Sequence, residues 1–185
     1  MEKTAAMYRD IEEILFTKEQ IAAAIKQLGE RITKDYAGKE PVAICILKGA
    51  SVFFADLIRE IDLPLEIEHM AISSYGNATS TSGEVRMIKD LDRSIFAKDV
   101  LIIEDIVDTG TTLNFLKKVL EERGANSIRI VSLLDKVARR KVDLKVEYSC
   151  FETPDSFVVG YGLDYAEKYR NLPDVGVLKK EIYSE

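Results

Sequence analysis

The sequence predicts an α/β fold with a doubly wound, mainly parallel sheet and helices on both faces. Three observations support this. Unbroken β-branched and aliphatic runs recur at Val42–Leu47, Val100–Ile103 and Ile128–Leu134, as in strands buried on both faces. Segments with apolar residues at helical spacing separate these runs, as the crossovers of a parallel sheet require. Repeats, low-complexity tracts and linkers are absent, so the 185 residues are expected to form a single domain, 1–185. Ligand is then expected beyond the carboxyl ends of the strands.

In chain order, the segment up to Phe16 is weakly patterned, and Ile11, Ile14, Leu15 and Phe16 are expected to dock on the domain edge. Thr17 and Gln20 make a capping box. Ile21, Ile25, Leu28 and Ile32 form a helical stripe reaching about Ala37, and Gly38 ends it. Pro41 opens the strand Val42–Leu47. Lys48-Gly49-Ala50 then turns into a helix carrying Val52, Phe53, Leu57 and Ile58, which stops before Pro64. Leu65, Ile67, Met70 and Ile72 mark the next strand. Residues 73–84 contain almost no aliphatic side chain, the composition of a mobile loop. Val85–Ile88 is a strand candidate, followed by the strand at Val100 and a helix with Leu113, Leu116 and Leu120 that ends at Gly124. Beyond Ile128–Leu134, the strand candidates are Val142–Cys150, Phe157–Val159 and Val175–Leu178.

The net charge of −6 argues against general binding to nucleic acid or a membrane surface, but leaves room for a local basic pocket. Two cysteines, each in an apolar or strand-like run, are expected as reduced, buried thiols, which fits a cytoplasmic protein. Nothing at the N-terminus resembles a signal peptide. The single histidine, His69, has no Cys or His partner at metal-ligand spacing.

The informative stretch is Val100–Leu113, which reads strand, acidic edge, hydroxyl-rich turn, helix. In Thr109-Gly110-Thr111-Thr112, free N–H groups at a helix start and a close-approach glycine make a phosphate cradle. Glu104 and Asp105 would repel phosphate. They make sense as acceptors for a sugar diol, or as ligands for Mg²⁺, while the turn alone holds the phosphate. The plain alternative is a pair of acids capping a strand in solvent. The stretch is not a Walker A loop, because no Gly-Lys-Ser/Thr closes the turn.

The pattern resembles the phosphoribosyl pyrophosphate signature of the type I phosphoribosyltransferases. Further blocks are Leu47-Lys48-Gly49, Ser73-Ser74-Tyr75-Gly76, Leu133-Leu134-Asp135-Lys136 and Phe157 to Tyr165 with Arg170. Together they resemble the hypoxanthine-guanine phosphoribosyltransferases of bacterial purine salvage, from about Pro41 to Arg170. The resemblance implies the type I fold, with a small hood built from the N-terminal segment and about 150–185, and a lid loop at about 73–84. It implies transfer of 5-phosphoribosyl from phosphoribosyl pyrophosphate to hypoxanthine or guanine, giving IMP or GMP and pyrophosphate, with Mg²⁺. A homodimer or homotetramer in the cytoplasm is also implied.

Residue by residue, it implies that Asp108 is the general base; on the residues alone, helix capping is an equal reading. Glu104, Asp105, Thr109, Gly110, Thr111 and Thr112 would hold the phosphoribosyl group. Lys136, Phe157, Val158 and Asp164 would hold the purine, and Lys48, Gly49 and Arg170 the pyrophosphate. Ser74 and Tyr75 would lead the lid, and Glu104, Asp105 and Asp164 would serve the metal. Lys48-Gly49 matches the family's pyrophosphate loop, in which a non-proline cis peptide is expected. Ala50 replaces a second glycine common in relatives. Without the resemblance, Lys136 would pass for one solvated cation among Arg139, Arg140 and Lys141. A xanthine-preferring enzyme and an RNA-binding pyrimidine-operon regulator that keeps the motif are the competing readings. The acidic balance and the purine block disfavour the regulator.

Overall fold

The computed structural model describes residues 5–74 and 85–184. Its elements are α1 (Ala5–Tyr8), β1 (Ile11–Phe16), α2 (Lys18–Asp35), β2 (Val42–Leu47), α3 (Ser51–Glu60), β3 (Glu66–Ser74), β4 (Val85–Lys89), β5 (Asp99–Val107), α4 (Thr111–Glu122), β6 (Ser127–Asp135), β7 (Tyr148–Glu152), β8 (Val158–Val159), β9 (Val175–Leu178) and α5 (Lys180–Tyr183). A six-stranded sheet has the order β4-β3-β2-β5-β6-β7. Only β4 runs antiparallel to its neighbour. A three-stranded antiparallel sheet, β1-β9-β8, is built from the two ends of the chain.

The buried runs form the centre of the large sheet. Ala43, Cys45, Leu101 and Ile103 belong to the core that includes α2 and α3, while Ile44, Ile102 and Ile130 belong to the core that includes α4. Both capping-box bonds of Thr17 and Gln20 are made at the start of α2. Cys45 and Cys150 are unpaired, and burial pushes both thiols up to about 12, so neither is a nucleophile at neutral pH. Among the described residues, no helix is long and apolar enough to cross a membrane.

The structure departs from the sequence expectations in several places. Ile11–Phe16 does not merely dock on an edge: it is a strand paired with β9. The central strand does not stop at Ile103. β5 runs on to Val107 because β6 continues to pair with it as far as Val107↔Asp135, which places Glu104 and Asp105 within the strand. Val142–Glu147 is not a strand. Val142, Leu144 and Val146 pack on the α4 core, and pairing with β6 begins only at Tyr148. Ile67 is 48% exposed whereas Met70 is fully buried; an odd and an even position of one strand face opposite sides. Tyr75, with the rest of the expected lid loop up to residue 84, lies outside the described residues, and Ser74 is the last residue of β3.

At Gly29, α2 packs closely against the last residue of α3, Glu60. A methyl group there would lie 2.5 Å from the Glu60 carbonyl oxygen and 2.6 Å from the Glu60 Cβ. Gly29→Ala is therefore expected to destabilise the protein by about 1–3 kcal/mol through overpacking, even though alanine favours a helix by about 1 kcal/mol. Urea denaturation checks this, and an unchanged or higher midpoint would contradict it.

Candidate functional site

Two cavities open at the carboxyl end of the central strands, one of about 250 Å³ and one of about 290 Å³. The first is lined by Glu104, Asp108, Thr109, Gly110 and Thr112, with Ile46, Leu47 and Ile72 among its apolar walls. The second is lined by Asp105, Asp108, Lys136, Arg139, Phe157, Val158, Leu163 and Asp164. Ile106 and Asp108 line both. Asp108 is thus on the wall between two chambers that separate fragments of one ligand could fill.

Gly110, at φ 78° and ψ −5°, precedes α4 and caps it without a side-chain bond. The first-turn N–H groups remain largely free for an anion. Within the turn, the Thr111 N–H faces the Thr109 hydroxyl at 3.4 Å. The Asn114 N–H donates to the Gly110 carbonyl at 2.9 Å, which closes the first helical turn.

Glu104 and Asp105 sit side by side, one facing each chamber. Burial, reinforced by Asp105, pushes the Glu104 carboxyl well above the usual range. Burial also raises that of Asp105, although Ile106 N–H donates to it at 2.8 Å. The Asp105 carboxylate fills the place that a Gly49 side chain would need. Gly162, at φ +102°, comes up against the Gly49 carbonyl in turn. The Leu47–Lys48 peptide is cis.

Lys48 and Arg170 converge on Glu167, at 3.2 and 3.5 Å, and Arg170 also bonds Asp164 at 2.8 Å. Lys136 is buried and donates from Nζ to the Ser156 carbonyl at 2.6 Å. Burial pushes its ammonium pKa down, and Asp108 and Asp155 pull it back up. Phe157 is 39% exposed and stacks on Tyr183, with ring centroids 4.9 Å apart. The edge of Tyr165 meets it at 5.7 Å. Neither tyrosine lines the second chamber, so both brace Phe157 from outside. Val158 is buried and pairs with Val177.

Some residues at the site carry no signal in the sequence. Arg139 bridges Asp108 at 3.3 Å and Asp155 at 3.4 Å across the mouth of the second chamber. Leu163 forms part of that chamber's wall. Glu167 holds both cations of the Lys48 loop region, and an acid within a turn offers nothing in the sequence to set it apart. Arg140 is largely buried against Asp135.

No group of three or more potential metal ligands is gathered among the described residues. The carboxylates of Glu104 and Asp105 nevertheless fit Mg²⁺. It is bound through one or two carboxylates and completes its shell with phosphate oxygens and water, and a cation would relieve the burial of these two acids.

Residues 12–166 match the phosphoribosyl transferase domain family. A hypoxanthine-guanine phosphoribosyltransferase of Bacillus subtilis is 54% identical over 177 residues, covering 96% of this chain and 98% of the relative. The Streptococcus thermophilus protein of the same name is 51% identical with the same coverage. A hypoxanthine phosphoribosyltransferase structure from Staphylococcus aureus superposes with a TM-score of 0.95 at 52% identity, covering all of both chains. One from Trypanosoma cruzi, a ternary substrates complex, gives 0.90 at 42% identity and covers 96% of this chain and 100% of that one.

The raised carboxyls of Glu104 and Asp105 have a stability consequence. A carboxyl whose folded pKa lies above its unfolded value is stabilising in the protonated state, and that contribution is lost as pH rises through the folded pKa. At pH 7.5 Glu104→Gln should therefore raise Tm by about 2–4 °C for each kcal/mol of relieved repulsion. The gain should shrink as the pH is lowered and the wild-type acid takes up its proton. Calorimetry at two pH values checks this, and a lower Tm for the variant at pH 7.5 would contradict it.

Proposed function

The chain belongs to the phosphoribosyltransferase family, and on that premise we propose that it moves the 5-phosphoribosyl group of phosphoribosyl pyrophosphate onto hypoxanthine or guanine. The products are IMP or GMP and pyrophosphate. The observation that carries this reading is Asp108 on the wall shared by the two chambers. The anomeric carbon of a ribose held in the first would lie beside a base held in the second.

In this reading the Thr109–Thr112 turn takes the 5′-phosphate, and Glu104 and Asp105 take the ribose hydroxyls. The base stacks between Phe157 and Leu163, and Lys136 meets its exocyclic O6, with the Val158 backbone at the purine edge. A 6-amino group gives Lys136 no acceptor and sets a donor against a buried ammonium, so adenine is rejected. N9 attacks C1′ as the bond from C1′ to pyrophosphate breaks, and the N7 proton passes to the Asp108 carboxylate. Lys48, the Gly49 backbone and Arg170 receive the departing charge once Lys48 and Arg170 release Glu167; a planar guanidinium suits that bidentate task. Glu104 and Asp105, with Asp164 on the pyrophosphate side, would hold Mg²⁺, which supplies charge neutralisation for the leaving group when bound. The reading treats residues 1–185 as one functional unit, cytoplasmic and a homodimer or homotetramer, acting without nucleic acid or membrane. The curated relatives' names do not favour the xanthine-preferring or RNA-binding alternatives.

Incubation with phosphoribosyl pyrophosphate, Mg²⁺ and each of hypoxanthine, guanine, xanthine, adenine and uracil tests the reading. Nucleotide should form from the first two and not from adenine or uracil; no nucleotide from any 6-oxopurine would contradict it. Asp108→Asn should lower kcat by about 10²–10⁴ while the donor KM stays within several-fold. Retention of near-wild-type kcat would remove Asp108 from the proton-transfer role.

A further inference from the structure

We propose that Asp135 and Arg140 are a positioning pair that sets the distance between Lys136 and the Thr109–Thr112 turn. The proposal rests on the functional reading given above for those two elements.

The pair lies where the segment carrying Lys136 meets the phosphate turn. Asp135 is the last residue of β6, paired with Val107 on one side and Glu152 on the other, and Lys136 follows it directly. Arg140 lies beyond the short helical turn Val137–Arg139, and its guanidinium returns to bond the Asp135 carboxylate. A second nitrogen, Nη1, donates to the Leu144 carbonyl at 2.9 Å. The Arg140 stem packs over Gly110: its Cδ lies 2.8 Å from where a Cβ on that glycine would stand, with Leu144 and Val142 at 3.1 and 3.2 Å. Backbone bonds run alongside, from Lys141 N–H to the Thr109 carbonyl at 3.0 Å and from Lys136 N–H to the Val107 carbonyl at 2.9 Å. One side chain thus touches the glycine of the phosphate turn and grips the residue before the purine lysine.

Stability alone gives a weak reason for such a pair. Its side chains are only 15% and 14% exposed, and buried ion pairs are often replaced by apolar residues without loss of stability. Arg140 Nε is moreover buried without a hydrogen-bond partner among the described residues. What a planar, forked cation offers over an apolar side chain is a fixed direction in space. A fixed direction matters where phosphate and purine must be held at one separation, because a misplacement of about 1 Å costs about 10²-fold in rate.

The test uses Arg140→Met, which keeps the stem and removes the fork, Asp135→Asn, which keeps the shape, and the double variant. In each, kcat, the KM for phosphoribosyl pyrophosphate, the KM for hypoxanthine and Tm are measured. Each single variant should lose about tenfold or more in kcat and raise both KM values together. The double variant should be little worse than either single one, because the pair acts as a unit. Arg140→Lys should recover only part of the loss. If Arg140→Met does not fold, Asp135→Asn and Arg140→Lys decide by the same criteria. Variants that change Tm but keep kcat and both KM values within twofold of wild type overturn the proposal. So does a rise in one KM alone. A wild-type protein that forms no nucleotide overturns the functional reading, and the proposal with it.

Discussion

Glu104 and Asp105 are neighbouring carboxylates on an interior strand, both raised by burial and each facing its own chamber. Uncompensated charge in that position is expensive, and the protein supplies little compensation: the nearby guanidinium of Arg170 is committed to Asp164. Neighbouring backbone gives way to them, since Gly49 leaves the space that the Asp105 carboxylate fills. In the proposed function, hydroxyl donors or a divalent cation brought by the ligand would offset that cost.

The second chamber depends on a different constraint. Phe157, Val158 and Leu163 come from the segment leading into and out of β8, outside the large sheet, and must be held over its strand ends. Aspartates accept from tyrosine hydroxyls at several points of this arrangement: Asp174 from Tyr8, Asp56 from Tyr161, and Asp10 from Tyr169 at 2.7 Å. The Tyr161 bond reaches α3 and so ties the small sheet to the large one. A further bond from Leu178 N–H to the Phe157 carbonyl, 2.9 Å, fixes the strand that presents the aromatic wall. Part-buried hydrogen bonds to charged acceptors are directional and strong enough to set this orientation.

Much of this was legible in the sequence because it is local. Val42–Leu47 and Val175–Leu178 are strands with the expected bounds, and Gly124 ends α4 at φ +78°. The turn around Gly110 was visible because glycine, hydroxyls and a helical stripe are contiguous. What depended on partners far along the chain was not visible. Ile11–Phe16 is a strand only because β9 returns to pair with it. Val142–Glu147 has strand-like composition, but its apolar residues are taken by the α4 core. Arg140 sits in a basic run that would be solvated unless Asp135 and Gly110 lay beside it, and Glu167 gains meaning only where Lys48 and Arg170 meet.

The proposed function requires one arrangement in space: phosphate at the Gly110 turn, purine at Lys136, and Asp108 between them. A crystal structure with IMP bound tests it most directly. The 5′-phosphate oxygens are expected within hydrogen-bond distance of the N–H groups of Gly110 to Thr112, with the purine O6 facing Lys136 Nζ and N7 facing the Asp108 carboxylate. A phosphate bound instead at Lys48 and Arg170, with the base outside the Phe157–Leu163 chamber, would contradict it.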